Sequence, residues 1–154
     1  MKLIRRGLAA LALAGAAMAC PPVAIAQTTV AGTLIITDTR VVNPNDGGNT
    51  LTIYAGQSVE FTYPSGTNLH NVDFLAMKPS SCTQTAGPDL GPVPPLPRLP
   101  SGPGWSGICR FTVPQMYAFV SRGPRSIVGH VSVRPGAPPP TFPTAPMAPP
   151  SLRT

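Results

Sequence analysis

Apolar and polar residues alternate with a period of two through most of the chain between Thr28 and Val133. In the segment TLTIYAGQSVEFTY, which begins at Thr50, apolar side chains occupy every second position on both sides of an Ala-Gly-Gln turn. The alternation recurs at positions 72–74, 111–113, 117–119 and 131–133. A period of two predicts strands with one buried face. Short strands separated by Gly, Pro and Asn turns therefore predict an all-β protein, an antiparallel sandwich or barrel.

Two proline-rich segments lack this alternation. Residues 87–104 contain seven prolines and almost no strand-forming residues, so we predict a long, stiff surface loop there. Residues 135–154 contain eight prolines and no strand pattern. Such a segment cannot bury enough apolar surface to order itself, so we predict a disordered or extended tail.

The N-terminus has the features of an export signal. Lys2, Arg5 and Arg6 precede an apolar run of Leu and Ala that is too short to span a bilayer. The small residues Ala24 and Ala26 flank Ile25 and form a cleavage pattern. Residues 1–26 are therefore predicted to be a signal peptide, which implies a periplasmic or secreted protein without a transmembrane segment.

A lipoprotein signal is the alternative interpretation of the same segment. Ala19 stands directly before Cys20, which would then carry a lipid anchor. The leucine that usually stands three residues before such a cysteine is absent. The signal peptide interpretation is preferred, and the lipid anchor stays open.

Charge gives little indication of a partner. The formal charge of the whole chain is +6, and removal of the predicted leader leaves eight basic and five acidic residues, a net +3. This is too weak and too scattered to indicate nucleic-acid binding. The remaining domain, predicted to span residues 27–134, is long enough for one modest core. We expect an envelope or extracellular partner of unknown identity.

The two cysteines that follow the predicted leader are Cys82 and Cys109. In an oxidising compartment they most simply form a disulfide. The alternative, a two-thiolate metal site, would need two further ligands, and the sequence offers none nearby. The disulfide is the preferred prediction.

Several short blocks in order resemble the cupredoxin family, most closely the plastocyanin-like blue-copper domains. The blocks are AGQSVEF, HNVDF, GWSGICRFTVP, a Y-x-F pair and a terminal G-x-V-x-V, and together they cover about Thr50 to Val133. The resemblance implies a Greek-key β-sandwich. It also implies copper at one end, held by two His, one Cys and a distant axial Met, a set of soft and borderline donors.

His70 matches the first copper ligand of the family. Asn71 matches an Asn that typically hydrogen-bonds near the thiolate and orients the site. The other three ligands of the family share one loop with the spacing Y-x-F-x-C-x-x-H-x-x-M-x-G. Aligned on this frame, which matches here at Tyr117, Phe119 and Gly129, the three ligand positions hold Ser121, Pro124 and Ile127.

These replacements remove the chemistry of a blue-copper centre. A serine hydroxyl stays protonated at neutral pH, proline has no side-chain donor, and isoleucine keeps the bulk of methionine without its sulfur. Arg122 and Arg125 flank Pro124. At an effective dielectric constant of about 20, one such charge at 6 Å opposes a monovalent cation by roughly 3 kcal/mol. We therefore expect no copper and no other cofactor.

Three functional hypotheses follow. The first is an exported, copper-free module that acts by binding or as a structural domain, with Arg122 and Arg125 as a positive patch for an anionic group. The second is a copper-binding electron carrier or copper-handling protein that uses His70 with non-standard ligands, to which the thioethers of Met77 and Met116 could contribute. The proline-rich tail as the functional part is a third possibility.

Enzyme activity is not expected. No serine stands in a G-x-S-x-G turn, and the two His and five acidic residues show no metal or triad spacing. Strand alternation predicts that Asp73 points away from the face of Val72 and Phe74, and that His130 points away from the face of Val131 and Val133. Neither is therefore expected to join His70.

Overall fold

The computed structural model describes residues 30–93 and 95–136, which form eleven strands and no helix. The strands are β1 (Val30–Ile36), β2 (Val41–Val42), β3 (Thr50–Tyr54), β4 (Ser58–Tyr63), β5 (His70–Phe74), β6 (Ser81–Ala86), β7 (Gly91–Pro92), β8 (Leu96–Ser101), β9 (Trp105–Arg110), β10 (Met116–Ser121) and β11 (Ile127–Arg134). No helix in these residues could cross a membrane. The predictions for the leader, for Cys20 and for the tail from residue 137 lie outside the described residues.

The strands form two sheets, which confirms the predicted all-β sandwich. The six-stranded sheet has the order β2-β1-β4-β9-β6-β7, and the five-stranded sheet has the order β3-β11-β10-β5-β8. The β1–β4 and β3–β11 pairs are parallel, while the other pairs are antiparallel. The sheets are therefore mixed rather than antiparallel throughout. Parallel partners need long crossover connections, and the chain between β1 and β4 passes through β3 of the other sheet.

Alternating side chains of both sheets meet in an aromatic core. Val59, Phe61 and Tyr63 on β4 are fully buried, as the period of two predicts. The ring of Phe61 packs edge-on against Phe119 at 5.3 Å and against Phe74 at 5.9 Å. Such edge-to-face pairs add about 0.5–1.5 kcal/mol each to the free energy of burial.

The predicted disulfide between Cys82 and Cys109 is present. The two residues stand directly opposite each other on β6 and β9, and both are buried. In the chain-entropy view, closing a loop of this length stabilises the fold by about 3–4 kcal/mol. The two-thiolate alternative is excluded in this form of the protein, because a disulfide sulfur is not a thiolate.

Part of the proline-rich segment is a strand, so the prediction of one loop over residues 87–104 was wrong there. Strand β8 forms the edge of the five-stranded sheet and pairs with β5. An edge strand needs ladder hydrogen bonds on one side only, which is why it tolerates proline. Leu96 is fully buried, and a Cβ atom at Gly107 would lie 2.5 Å from its Cδ1. Gly107 therefore makes the room that β8 needs.

The β10–β11 hairpin contains Tyr117, Phe119 and Gly129, the three residues that match the family spacing. Tyr117 pairs with Val131, and Phe119 pairs with Gly129. A Cβ atom at Gly129 would collide with the ring of Phe119. Glycine is therefore required at that position by packing, independently of any site.

Candidate functional site

The candidate site lies at the end of the sandwich where β5 begins and β10 ends. His70 is the first residue of β5, and Ser121 is the last residue of β10, the neighbouring strand. The Nδ1 atom of His70 lies 2.9 Å from the Oγ atom of Ser121, which is a hydrogen bond. Both side chains are 0% exposed. The imidazole and the hydroxyl are thus partners in a buried polar contact.

The other predicted site residues lie around this contact in different environments. Ile127 stands opposite Ser121 in the hairpin and is buried. Pro124 is exposed in the loop that connects the two strands. The side-chain oxygen of Asn71 accepts a hydrogen bond of 3.0 Å from the backbone N–H of Arg122, so Asn71 holds the first residue of that loop in place.

Arg122 is paired with an acid that the sequence did not connect to it. Its Nε and Nη2 atoms each lie 3.0 Å from Oδ2 of Asp73. The Arg122 side chain is 62% exposed, so this pair contributes little to stability. The pair nevertheless offsets the charge of Arg122, whereas the exposed Arg125 forms no ion pair within residues 30–93 and 95–136.

Asp38 is the residue of this site that sequence reasoning missed. It lies in the turn between β1 and β2, and its Oδ1 atom lies 3.6 Å from Nε2 of His70. The same carboxylate accepts hydrogen bonds from the Tyr63 hydroxyl at 2.5 Å and from the backbone N–H of Thr67 at 2.9 Å. It also accepts from the Thr67 hydroxyl and from the N–H of Asn68. Asp38 therefore ties the β4–β5 loop, which leads into His70, to the β1–β2 turn.

These contacts set the protonation of the three central groups. The Tyr63 hydroxyl and the backbone N–H of Thr67 hold the pKa of Asp38 well below its usual range. Burial, with the hydrogen bond to Asp38, raises the pKa of Tyr63 to about 12. Burial also lowers the pKa of His70, against the opposing effect of the Asp38 charge. The stable combination at neutral pH is an ionised Asp38 with a neutral His70 and a neutral Tyr63.

The carboxylate decides which nitrogen of His70 carries the proton. Nε2 is buried and has no hydrogen-bond partner in the described part of the chain, but it faces the negative charge of Asp38 at 3.6 Å. A proton on Nε2 is favoured by that charge, which leaves Nδ1 as an acceptor. The hydroxyl of Ser121 then donates to Nδ1 and occupies its lone pair.

Loop residues seal this contact from solvent. A Cβ atom at Gly123 would lie 2.7 Å from the carbonyl oxygen of Leu69 and 3.0 Å from Cε1 of His70, so only glycine lets the loop pack on the imidazole. Outside this cover lies a shallow depression of about 410 Å³. It is lined by Thr67, Asn68, Leu69, Pro100, Arg122, Gly123 and Pro124. His70 is beneath the surface, and the depression above it is mostly apolar.

The residues at this position do not fit type-1 copper. That centre needs a thiolate and a second imidazole, whereas Ser121 offers a hydroxyl and Pro124 offers no donor. The lone pair of His70 that would bind a metal is engaged by Ser121. Across residues 30–93 and 95–136, no three His, Cys, Asp or Glu side chains come together as a metal group.

Ser121, His70 and Asp38 also have the connectivity of a hydrolytic triad. Such a triad needs a nucleophile that a substrate carbonyl can reach, and Ser121 is fully buried. The distance from His70 to Asp38 is also too long for a hydrogen bond. The three side chains therefore form a buried polar network whose geometry differs from that of a triad in both respects.

Solved structures similar to this chain are a Cu-containing nitrite reductase (NirK) from Thermus scotoductus SA-01 and mutants of amicyanin. The match to the nitrite reductase has 19% identity and a TM-score of 0.45, and covers 67% of this chain but only 22% of that protein. The match to a reduced Cu(I) form of an amicyanin mutant has 17% identity and a TM-score of 0.44, and covers 74% of this chain and 92% of that protein. An oxidised amicyanin mutant matches with 17% identity and a TM-score of 0.41, over 68% of this chain and 82% of that protein.

No protein-family model and no curated protein sequence matches the chain. The matches to solved structures have 17–19% identity and TM-scores of 0.41–0.45, so no property of this chain is concluded from them. What those proteins bind is not carried over to this chain.

Proposed function

We propose that this chain is an exported, cupredoxin-like module that has lost type-1 copper and electron transfer and acts outside the cytoplasm by binding a partner or as a structural domain. The observation that supports it most is the buried hydrogen bond between His70 and Ser121, because the one retained ligand position is engaged by a group that cannot replace a thiolate. No enzyme activity is part of the proposal.

The competing function, copper binding through His70, would require local rearrangement. Ser121 would have to release Nδ1, and the Gly123 backbone would have to move away from the imidazole. Asn71 and Asp73 both hold Arg122, the residue that begins the loop, and so oppose that movement. The contacts favour the copper-free function.

A Cu(II) titration separates the two functions. The wild-type protein is expected to give neither the intense visible absorption of a copper thiolate nor a Cu(II) electron paramagnetic resonance signal that depends on His70. His70→Gln is the comparison variant. A stoichiometric Cu(II) complex that is present in wild type and lost in His70→Gln would contradict the proposal.

The binding role is assigned to the same end of the sandwich. Arg122 lines the depression and is paired with Asp73. The exposed Arg125 directly follows Pro124, which also lines the depression, and within residues 30–93 and 95–136 it forms no ion pair with an acid. An anionic envelope component would therefore depend on Arg125 more than on Arg122. Calorimetry with such components should show a larger loss of affinity for Arg125→Ala than for Arg122→Ala. Arg110→Ala, an exposed arginine on β9, is the matched control, and equal affinities in all variants would end this assignment.

A further inference from the structure

Three connections cross from one sheet to the other at the end of the sandwich that lies opposite His70. Residues 55–57 join β3 to β4, residues 75–80 join β5 to β6, and residues 111–115 join β9 to β10. Because β4 is antiparallel to β9, and β5 is antiparallel to β10, these connections share one end of the sandwich. We call this layer of three connections the connection end.

Hydrogen bonds hold the three connections side by side. The hydroxyls of Ser80 and Thr112 are hydrogen-bonded to each other, which joins the second connection to the third. The N–H of Gly56 donates to the carbonyl of Phe111 at 2.7 Å, and the N–H of Phe111 donates to the carbonyl of Gln57 at 3.0 Å. The first connection is thereby joined to the third. The connection end is therefore one continuous surface rather than three separate loops.

Large apolar side chains are exposed on the connection end. Leu75 and Met77 are 55% and 48% exposed, Val113 is 52% exposed, and Met116, with which β10 begins, is 56% exposed. Single exposed apolar residues are normal on a protein surface, whereas several on adjoining segments mark an interaction surface. These residues therefore indicate a surface that binds an apolar or amphipathic partner.

The charges of the connection end are all positive. Lys78 directly follows Met77, and the carbonyl of Arg134 at the end of β11 accepts a hydrogen bond of 3.0 Å from the N–H of Ala55. Both bases are exposed, and neither forms an ion pair in the described part of the chain. None of the five acidic residues of the chain lies in the three connections. Anionic groups can therefore approach this end without repulsion.

Arg110 is a further exposed base that ends β9 near this layer. Its side chain lines a shallow groove with Ser81, Thr83, Thr85 and Ile108. That groove lies on the outer face of the six-stranded sheet, where β6 and β9 pair. Arg110 is therefore not part of the connection end.

Exposed apolar side chains bordered by unpaired cations fit the surface of a membrane that contains anionic lipids. At such a surface, apolar side chains enter the boundary between headgroups and acyl chains, while Lys and Arg are attracted to the anionic headgroups. A small soluble anion would use the cations alone and leave Leu75, Met77, Val113 and Met116 in water. We propose that the connection end docks on the surface of an anionic phospholipid bilayer.

The chain also enters the domain at this end. Val30, the first residue of β1, pairs with Ser58, the first residue of β4. The alternative lipid anchor at Cys20, ten residues before Val30, would therefore join the domain at the end that carries the docking surface. Tethering and docking would then act on the same side of the molecule.

This surface goes beyond the proposed function, because it lies away from the depression beside Leu69 and Pro124. Leu69 directly precedes β5 and Leu75 directly follows it, so they are six residues apart, about 20 Å at the rise of an extended strand. Both leucines are 55% exposed. Leu69 is therefore a matched control for Leu75, with the same side chain and the same exposure at the other end of one strand.

The test is sedimentation of the purified protein with lipid vesicles. Vesicles of phosphatidylglycerol mixed with phosphatidylcholine should bind the wild type at least about tenfold more tightly than vesicles of phosphatidylcholine alone. Added salt should weaken the binding, because it screens the attraction between the cations and the headgroups.

Variants locate the binding surface. Leu75→Ser/Met77→Ser should lower affinity for the anionic vesicles by at least about tenfold, because two apolar side chains no longer enter the bilayer boundary. Lys78→Gln should lower it by about fivefold. Leu69→Ser and Arg125→Ala change the opposite end and should leave the affinity unchanged.

Several results would overturn the docking surface. Equal binding of the wild type to vesicles with and without phosphatidylglycerol would do so, as would equal affinities of the wild type and Leu75→Ser/Met77→Ser. A loss of binding confined to Leu69→Ser or Arg125→Ala would place the lipid at the depression instead. Self-association without vesicles that is lost in Leu75→Ser/Met77→Ser, measured by analytical ultracentrifugation, would assign the surface to a second copy of the chain. None of these results bears on the loss of copper, which the Cu(II) titration tests separately.

Discussion

Strand β10 passes through two different environments within three inward-facing residues. Tyr117 and Phe119 lie among aromatic rings, where Phe119 contacts Phe61 and fills the space above Gly129. Ser121, two residues further on, meets the imidazole of His70. The first region is apolar and closely packed, while the second is a buried polar network that also includes Asp38 and Tyr63.

The difference shows which residues each region requires. In the aromatic region the ring of Phe119 leaves room only for glycine at position 129. The residues that match the cupredoxin spacing, Tyr117, Phe119 and Gly129, are therefore also residues that the core needs. In the polar region the buried Nδ1 atom of His70 needs a hydrogen-bond partner, while Nε2 faces the Asp38 carboxylate at 3.6 Å. The Ser121 hydroxyl supplies that partner, so the polar region depends on this pair of side chains rather than on the shape of a ring.

The largest effect is expected from a side chain at Gly129. Gly129→Val places carbon atoms within the ring of Phe119, and overpacking of this kind should destabilise the fold by about 3 kcal/mol. Urea denaturation of purified protein measures the loss. Gly129→Ala/Phe119→Leu, which removes most of the ring, should recover part of it, and a Gly129→Val protein as stable as wild type would show that the frame is not fixed by packing.

A smaller loss is expected from Ser121→Ala, because it leaves Nδ1 of His70 buried without a partner. The free energy of unfolding should fall by about 1–3 kcal/mol. His70→Leu/Ser121→Ala replaces both polar groups with apolar ones and should lose less than the sum of the two single variants. Additive losses in this double-mutant cycle would mean that the two side chains do not depend on each other.

As the pH falls, the buried polar region around His70 should lose stability before the aromatic region does. The pKa of His70 is lowered by burial, so the folded state favours the neutral imidazole; its contribution is complete above the ordinary pKa of 6.5 and is lost as the pH falls below it. Asp38 acts with the same sign, but its contribution is lost only as the pH falls below its ordinary pKa of 3.8. Stability measured against pH should therefore decline first below pH 6.5.

His70→Gln should remove this first decline, while His130→Gln replaces the other histidine as a matched control. A decline that persists in His70→Gln and disappears in His130→Gln would contradict the assignment. At alkaline pH the raised pKa of Tyr63, about 12 against an ordinary 10, predicts a further loss of stability as the pH rises above 10.

The smallest effect is expected at Pro124, which is exposed in the loop. Pro124→Ala should change the free energy of unfolding by no more than about 0.5 kcal/mol, as is usual for surface positions without special contacts. Thermal denaturation measures it. A loss as large as that of Ser121→Ala would show that the loop position is bound into the polar network.

Much of the fold could be predicted from the sequence because one face of each main strand is buried. The alternating apolar residues Val59, Phe61 and Tyr63 are all buried in the core. Strand β8 could not be predicted, because its prolines indicate a loop and only the edge position makes them acceptable. The parallel pairing of β1 with β4 also produces no local pattern in the sequence, because it depends on a crossover between the two sheets.

The candidate site was only partly predictable for a similar reason. His70 and Asn71 stand in a recognisable block, and alignment with the family frame indicated Ser121. Asp38 lies in a short turn where an acid normally faces water, and its contact with the β4–β5 loop is long-range. The pairing of Arg122 with Asp73 likewise joins residues distant in sequence. The sequence therefore predicted an unpaired positive charge at Arg122, whereas the structure pairs it with an acid.

The most direct measurement of the central claim is a copper titration of the variant Ser121→Cys/Pro124→His/Ile127→Met, followed by its visible spectrum. If the scaffold of a type-1 site persists without its ligands, the folded variant should bind one equivalent of Cu(II) with intense colour, while the wild type stays colourless. A coloured wild type that loses its copper in His70→Ala, or a folded variant that takes up no copper, would contradict the account.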